Sequence, residues 1–281
     1  MEDSSFIRYL ASKKSVDDRA LNLRVWNAMV ERVSREGGPR VLEIGGGIGT
    51  MIERVGASGD LRPASFTMFD AQPALIEEAR RRLAGADAFP IELIACDLES
   101  FLASAFIPFD LVIANAFLDL LDPTIVLPRM SRLCRPGGLY LFSITFDGLT
   151  AFEPEIDADL DRRVVELYHR TMDERIMGGK RSGDSRCGRH LLNLLPACGY
   201  RIVEAGPSDW IVHPRDGGYP ADERHFLSCI LSFVEESLSV RPELGRAELR
   251  RWLERRRAQL SSGELAFLAH QLDILAELRG A

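Results

Sequence analysis

Five apolar runs, Arg40 to Ile44, Ser65 to Phe69, Ile91 to Cys96, Phe109 to Ala114 and Leu139 to Ile144, alternate along the chain with segments of helical pattern near Ile48 to Val55, Pro73 to Leu83, Leu98 to Ser104 and Thr124 to Cys134. A strand with one wet face alternates apolar and polar residues, so strands that are apolar throughout are covered on both faces. Such strands separated by helices predict a doubly wound, mainly parallel α/β sheet.

The flanks follow other rhythms. Ser15-Val16-Asp17-Asp18 has the form of a capping box, and Leu23, Trp26, Val30 and Val33 recur at spacings of three and four. A helix is therefore expected to open after Ser15 and to close at Gly37-Gly38. After Ile144, residues 147–199 are too long for a plain crossover and carry helical patterns over Asp159 to Met177 and Arg189 to Cys198. Arg201 to Ala205 and Trp210 to Val212, split by Gly206-Pro207-Ser208-Asp209, predict an antiparallel hairpin that finishes the sheet. From Tyr219 the pattern is helical again, with Leu265, Leu268, Leu272 and Leu275 forming one stripe of a final helix. The division expected is a helical cap over 1–39, an α/β core over 40–214 with a helical insertion at about 147–199, and a helical extension over 215–281.

Composition narrows the possible chemistry. An apolar fraction of 46% with 27% charged residues is that of a folded globular chain, not a disordered one. The 35 basic and 42 acidic side chains leave a net charge of −7, which removes the global attraction a general nucleic-acid binder would use. No stretch approaches the roughly 18 apolar residues of a membrane span, so no membrane partner and a cytoplasmic location are expected. Five cysteines without a CxxC spacing indicate neither a disulfide framework nor a thiolate metal site, and no metal is expected.

The strongest local signal is Glu43-Ile44-Gly45-Gly46-Gly47-Ile48-Gly49-Thr50, placed where the first strand turns into a helix. Glycines let backbone approach a ligand without a Cβ in the way. The dinucleotide fingerprint needs a sixth-position glycine, where this loop has Thr50, so the pattern is GxGxG. Asp70 ends the second strand, where a carboxylate can accept both hydroxyls of a ribose, or else cap the helix before Pro73. Asp97-Leu98 follows the third strand and offers an acceptor beside an apolar surface.

This order and spacing resembles the class I S-adenosylmethionine-dependent methyltransferases over roughly Val16 to Val212, and Lys14 to Asn22 with the glycine loop looks like a bacterial stand-alone group of them. The resemblance implies a seven-stranded Rossmann-like sheet with helical additions and S-adenosyl-L-methionine as cofactor. By the same resemblance, Glu43 orients the methionine part, Gly45, Gly47 and Gly49 lie against the ligand, Asp70 with Ala71 holds the ribose, and Asp97 with Leu98 meets the adenine. Asn115 and Phe117, in Asn115-Ala116-Phe117-Leu118, match the segment that lines the methyl donor. Arg19 is expected to pair with the methionine carboxylate from a cap packed over the pocket. The Asn-Pro-Pro-Tyr pattern of base amino methylation is missing after strand four, so the acceptor is expected to be a small molecule with a nitrogen or oxygen nucleophile.

Such a nucleophile loses a proton on methylation, and histidine is the usual base near neutral pH. His169 and His190 lie in the insertion and are the expected bases, with Tyr168 contacting the acceptor. His213 ends the last predicted strand, whereas His225 and His270 fall on the added helices. Between Arg162 and Arg189, eight basic residues outnumber four acidic ones, which can attract a carboxylate or phosphate or else be a solvated face. The run Arg246, Arg250, Arg251, Arg255, Arg256, Arg257 reads as a solvated or subunit-contacting helix, from which a homodimer through the C-terminal helices is expected. An NAD(P)-dependent oxidoreductase and a non-catalytic S-adenosylmethionine-binding protein stay as alternatives.

Overall fold

The computed structural model describes residues 3–34, 38–61, 64–85, 90–177, 179–216 and 218–279. Two helices, α1 (Asp3–Ala20) and α2 (Leu23–Ser34), precede the α/β alternation β1 (Arg40–Ile44), α3 (Thr50–Ser58), β2 (Ser65–Asp70), α4 (Pro73–Arg82), β3 (Ile91–Ala95), α5 (Leu98–Ala103) and β4 (Phe109–Asn115). After a 3-10 turn at Leu118–Leu120 come α6 (Pro123–Met130), β5 (Cys134–Glu153), α7 (Ala158–Asp173), a small hairpin of β6 (Ile176–Met177) with β7 (Lys180–Arg181), and α8 (Cys187–Ala197). The chain ends with β8 (Tyr200–Pro207), β9 (Trp210–Val212), α9 (Glu223–Leu238), α10 (Arg246–Ser262) and β10 (Ala266–Leu278). Several helix starts are written locally: Asp97, Asp122 and Asp157 accept the backbone N–H of Ser100, Thr124 and Leu160 at 2.7, 2.9 and 2.9 Å.

Among the described residues the main sheet has the order β3-β2-β1-β4-β5-β10-β8, with β9 also paired to β10. The pairs from β3 to β5 are parallel, and β10 is antiparallel to β5, β8 and β9. Successive strand residues face opposite sides. Val41, Phe66 and Leu111 pack with α2, α3 and α4, while Leu42, Val112 and Tyr140 pack with α5, α6 and α8. A third apolar cluster joins α7, α9 and α10 to Phe152 and Phe267, at the far ends of β5 and β10.

Four expectations change. The N-terminal helix opens well before Ser15, whose hydroxyl donates to Glu223 at 2.9 Å instead of capping. The cap lies at Asn22, where Oδ1 accepts the N–H of Arg24 and Val25 at 3.1 and 3.2 Å and so starts α2. Of the closing pair, Gly37 is outside the described residues, and α2 ends at Ser34. Arg201 to Ala205 and Trp210 to Val212 form no hairpin: β8 and β9 lie one after the other along β10, as one broken strand. The leucine stripe 265–275 is not a helix but β10, so the 215–281 segment ends inside the sheet, and His270 stands on a strand. Gly263, left-handed at φ 73°, stops α10, and backbone pairing on both sides of β10 then overrides the three-and-four spacing of its leucines. Within the arginine run, Arg256 is fully buried, bonded to Asp161 at 2.6 Å, and is therefore no surface residue.

One carboxylate knits these parts together. Asp273 of β10, 1% exposed, accepts the backbone N–H of Asn22 and of Ile144, each at 2.8 Å. Ile144 is held at φ 53°, a left-handed conformation that a β-branched residue rarely adopts. Asp273→Ala leaves two buried N–H groups without their charged acceptor and is expected to cost about 2–4 kcal/mol. Urea unfolding measures this, and a loss below about 1 kcal/mol contradicts it.

Candidate functional site

Strand order reverses between β1 and β4, and in open α/β sheets the crevice at the carboxyl ends of such strands is where ligands bind. The glycine loop fills this place after β1. Gly45 has φ 61°, and a Cβ there would lie 2.5 Å from the Phe117 ring, so a side chain at this position has neither backbone nor space. Gly47 has φ 57° and donates its N–H to Asp70 Oδ2 at 3.0 Å, while Asp70 Oδ1 accepts the N–H of Gln72 at 2.9 Å. The acid at the end of β2 therefore clamps the loop that follows β1.

The loop floors a cavity of about 830 Å³, roofed by Phe6, Tyr9, Leu10 and Lys13 of α1 together with side chains of α7 and α9. Tyr9 locks this roof by stacking on Phe226 and meeting Phe233 edge-on, with ring centroids 6.0 and 5.0 Å away. Of the residues singled out in the sequence, Glu43, Gly45, Gly47, Asp70, Ala71, Asp97, Leu98, Asn115, Phe117 and Tyr168 all line this one cavity. Asn115 is fixed by the Ser143 hydroxyl, which donates to its Oδ1 at 2.9 Å. Gly49 is not in the lining; it is the left-handed residue, φ 79°, that opens α3 against Leu83.

Three candidates lie elsewhere. Arg19 is held by Glu223 at the start of α9, at 2.5 and 2.9 Å, and does not line the cavity. That pair instead fastens α1 to α9. His169 is one side chain removed: its Nε2 is 2.9 Å from Thr150 Oγ1 and its ring meets Phe146 edge-on, and it is Thr150 and Phe146 that reach the cavity. Burial lowers the His169 imidazole below its usual range. His190 is exposed and outside the lining, its Nδ1 2.6 Å from Asp184, which does line the cavity.

Sequence reasoning missed Tyr9, Lys13 and Asp119, which do line the cavity, as does Arg175, one of the eight basic residues counted between Arg162 and Arg189. Tyr9 and Lys13 are four residues apart, on one helical face, a signal hidden by starting the helix at Ser15. Asp119 lies one residue beyond the segment Asn115 to Leu118 singled out after the fourth strand.

The acids of the floor are unevenly solvated. Glu43 is 2% exposed, and its Oε2 has no hydrogen-bond partner. Burial pushes its carboxyl up to about 8, against the opposing charge of Arg54 and with a further push from Asp70. Asp70 is also raised by burial, in part countered by the N–H groups of Gln72, Gly47 and Ala71. Asp97, capping α5, is held below its usual range by its hydrogen bonds to Ser100. A pair of buried carboxyls with one unpartnered oxygen fits a ligand bearing positive charge.

Fold and site together define a class: a Rossmann-like α/β chain whose core carries a methyltransferase domain. Residues 42–140, which hold the glycine loop, Asp70, Asp97 and Asn115, match the family described as a methyltransferase domain. The fold is shared with a candidate methyltransferase from Bacillus halodurans C-125, at 13% identity and a TM-score of 0.52, with 89% of this chain and 99% of that chain covered. A Thiobacillus denitrificans SAM-dependent methyltransferase in complex with S-adenosyl-L-homocysteine aligns with 16% identity and a TM-score of 0.46, over 91% of this chain and 92% of that one. No curated protein matches the chain closely enough to count as a relative. No helix among the described residues is long and apolar enough to cross a membrane.

The displaced titration of Glu43 has a stability consequence. Its carboxyl titrates near 4.5 when unfolded and near 8 in the fold, so folding takes up a proton between these values. Its contribution is thus fully present at acid pH and is lost as pH rises towards 8. In Glu43→Gln this slope is expected to vanish, narrowing the difference in unfolding free energy between about pH 5 and pH 8 by roughly 2–4 kcal/mol relative to the parent. Urea titrations at both pH values check it, and an unchanged difference speaks against the buried neutral acid.

Proposed function

We propose that this chain transfers the methyl group of S-adenosylmethionine to a nitrogen or oxygen of a small-molecule acceptor held under the α1, α7 and α9 roof. The observation that carries this reading is that one cavity joins the glycine loop and its acids to a roofed chamber. At about 830 Å³ it has the size of a small-ligand site, not of a groove for a polymer.

On this reading Glu43 faces the donor's methionine part, the backbone of Gly45 and Gly47 lies against it, Asp70 accepts from the ribose, Asp97 and Leu98 meet the adenine, and Asn115 with Phe117 borders the reacting end. Lys13, not Arg19, is the α1 cation of the lining. The bound donor supplies an electrophilic methyl on a positively charged sulfur. The protein's share is to hold the acceptor in line with it and to keep water out, for which the stacked rings of the roof are suited.

Asp70→Ala is expected to weaken S-adenosylmethionine binding by about 2–4 kcal/mol, from two charge-assisted hydrogen bonds of incomplete additivity. Calorimetry on the folded variant is the check, and unchanged affinity removes the ribose role. Donor binding near neutral pH is also expected to release a proton, because the ammonium group draws the Glu43 carboxyl, raised to about 8, into its charged form. Affinity then increases with pH up to that value. Binding heats that are independent of the buffer's ionisation enthalpy contradict this linkage.

A further inference from the structure

Away from the glycine loop, the chamber holds polar groups that the donor reading does not use. Asp119, in the turn after β4, has an Oδ1 sealed from solvent and without a hydrogen-bond partner. The hydroxyls of Tyr9 and Tyr168 make no hydrogen bond with a described residue. Arg175, just after α7, lines the cavity, and its guanidinium makes no ion pair or hydrogen bond with a described residue.

Glu236 of α9 also lines the cavity but is exposed to solvent, and two other charges nearby are paired. Lys13 is 2.5 Å from Asp17, and Asp184 is 2.6 Å from His190. The groups facing Asp119 are Lys13 and Tyr9 from α1, Arg175 from the segment after α7, and Asp184 with Cys187 from the start of α8. Tyr168 of α7 faces Tyr9 and Arg175. Asp119, whose carboxyl is met only by its own N–H, and Arg175 are thus opposite charges in one chamber, and neither makes an ion pair with a described residue. A buried carboxylate lacking a partner and an unpaired guanidinium are costly unless a ligand completes them.

We propose that Asp119 and Arg175 form the acceptor subsite, Asp119 taking the proton of the nucleophile and Arg175 holding an anionic group, so that the acceptor is a small amine or alcohol that also carries a carboxylate or phosphate. This rests on the methyl-transfer reading above. In the step, the acceptor's lone pair forms the bond to the methyl carbon and the carbon–sulfur bond breaks with its electron pair left on sulfur. The acceptor's proton passes to the Asp119 carboxylate and from there to solvent. Burial pushes the Asp119 carboxyl up to about 6, against the pull of its own N–H, Arg175 and Lys13 and with a push from Asp184. It is thereby mostly ionised at neutral pH yet more basic than a surface carboxylate, as a general base needs to be.

The test uses the full chain with three readouts. S-adenosylhomocysteine affinity is measured first in the parent, Asp119→Asn and Arg175→Gln, and is expected to be unchanged. Acetate and inorganic phosphate are then titrated into the product-loaded proteins, where Arg175→Gln is expected to weaken the better-bound anion by about tenfold or more. Last, transfer of isotopically labelled methyl is followed into amino acids, hydroxy acids and phosphomonoesters, each beside its analogue lacking the anionic group. Label is expected in the anionic members, with the carboxylate and phosphate arms telling the two sources apart. Asp119→Asn is expected to lower turnover by about 100-fold or more and to flatten its rise through roughly pH 6. Label favouring the analogues without the anion, full turnover in Asp119→Asn, or no label in any anionic member while the donor binds overturns the proposal. Absence of donor binding in the parent overturns the methyl-transfer reading itself.

Discussion

The carboxylate of Asp273 is the constraint on which the assembly of the pocket depends. It is carried by the last strand, yet it satisfies the backbone at the joint between α1 and α2 and at the carboxyl half of β5. A backbone N–H buried without an acceptor costs free energy comparable to a lost hydrogen bond, so both joints draw on β10 for their stability. Asn22, positioned this way, caps α2 and also donates its amide to the Pro207 carbonyl at 2.9 Å. Gly206 is required beside it, since a Cβ there would come 2.4 Å from that amide. Through these contacts the chain's two ends are made one structure, and α1 is delivered over the cavity.

A second constraint follows from where the acids stand. Glu43 near the end of β1, Asp70 at the end of β2 and Asp119 after β4 share one cavity, and burial raises the carboxyl of each. Carboxyls gathered in a poorly hydrated place resist ionising, and stability is spent to keep them there. Groups displaced in this way, beside a glycine loop and inside a cleft, mark a site shaped for ligand binding more than for folding.

The α/β core was legible because its signals are local: uniformly apolar strands, aspartate caps and glycines that only a strand-to-helix turn explains. The candidates that line the cavity from Glu43 to Phe117 were legible for the same reason, each standing at or just after the end of a strand, whereas Gly49 opens α3 outside the lining. The last strand was not. Its leucines at 265, 268, 272 and 275 fit a helix by spacing, and only pairing with β5 and β8 makes Gln271 and Asp273 inward-facing partners. Arg19 was misread because its partner, Glu223, is 204 positions away in sequence. His169 and His190 were chosen by residue type, whereas what reaches the chamber is set by the packing of α7 and α8, which turns Tyr168 and Thr171 inward and leaves His190 exposed.

The proposed reaction gives this arrangement a further logic. Positive charge on sulfur disappears as the methyl group moves, so negative charge aimed at the sulfur would favour the substrate over the transition state and slow the step. Glu43 lies beneath the glycine loop, where a Cβ on Gly46 would come within 3.0 Å of its carboxyl carbon, and Asp70 is spent on the Gly47 and Gln72 N–H groups. On the proposed reading both acids would act on the parts of a donor that keep their charge or polarity throughout, Asp70 with the lone pairs these N–H groups leave free. The border near Phe117 is different: its ring packs against Gly45, and Asn115 beside it is neutral. On that reading, acids at the binding end with Phe117 and neutral Asn115 beside the sulfur would anchor a cationic donor without stabilising the charge that must be lost, and Asp119 would act on the acceptor instead.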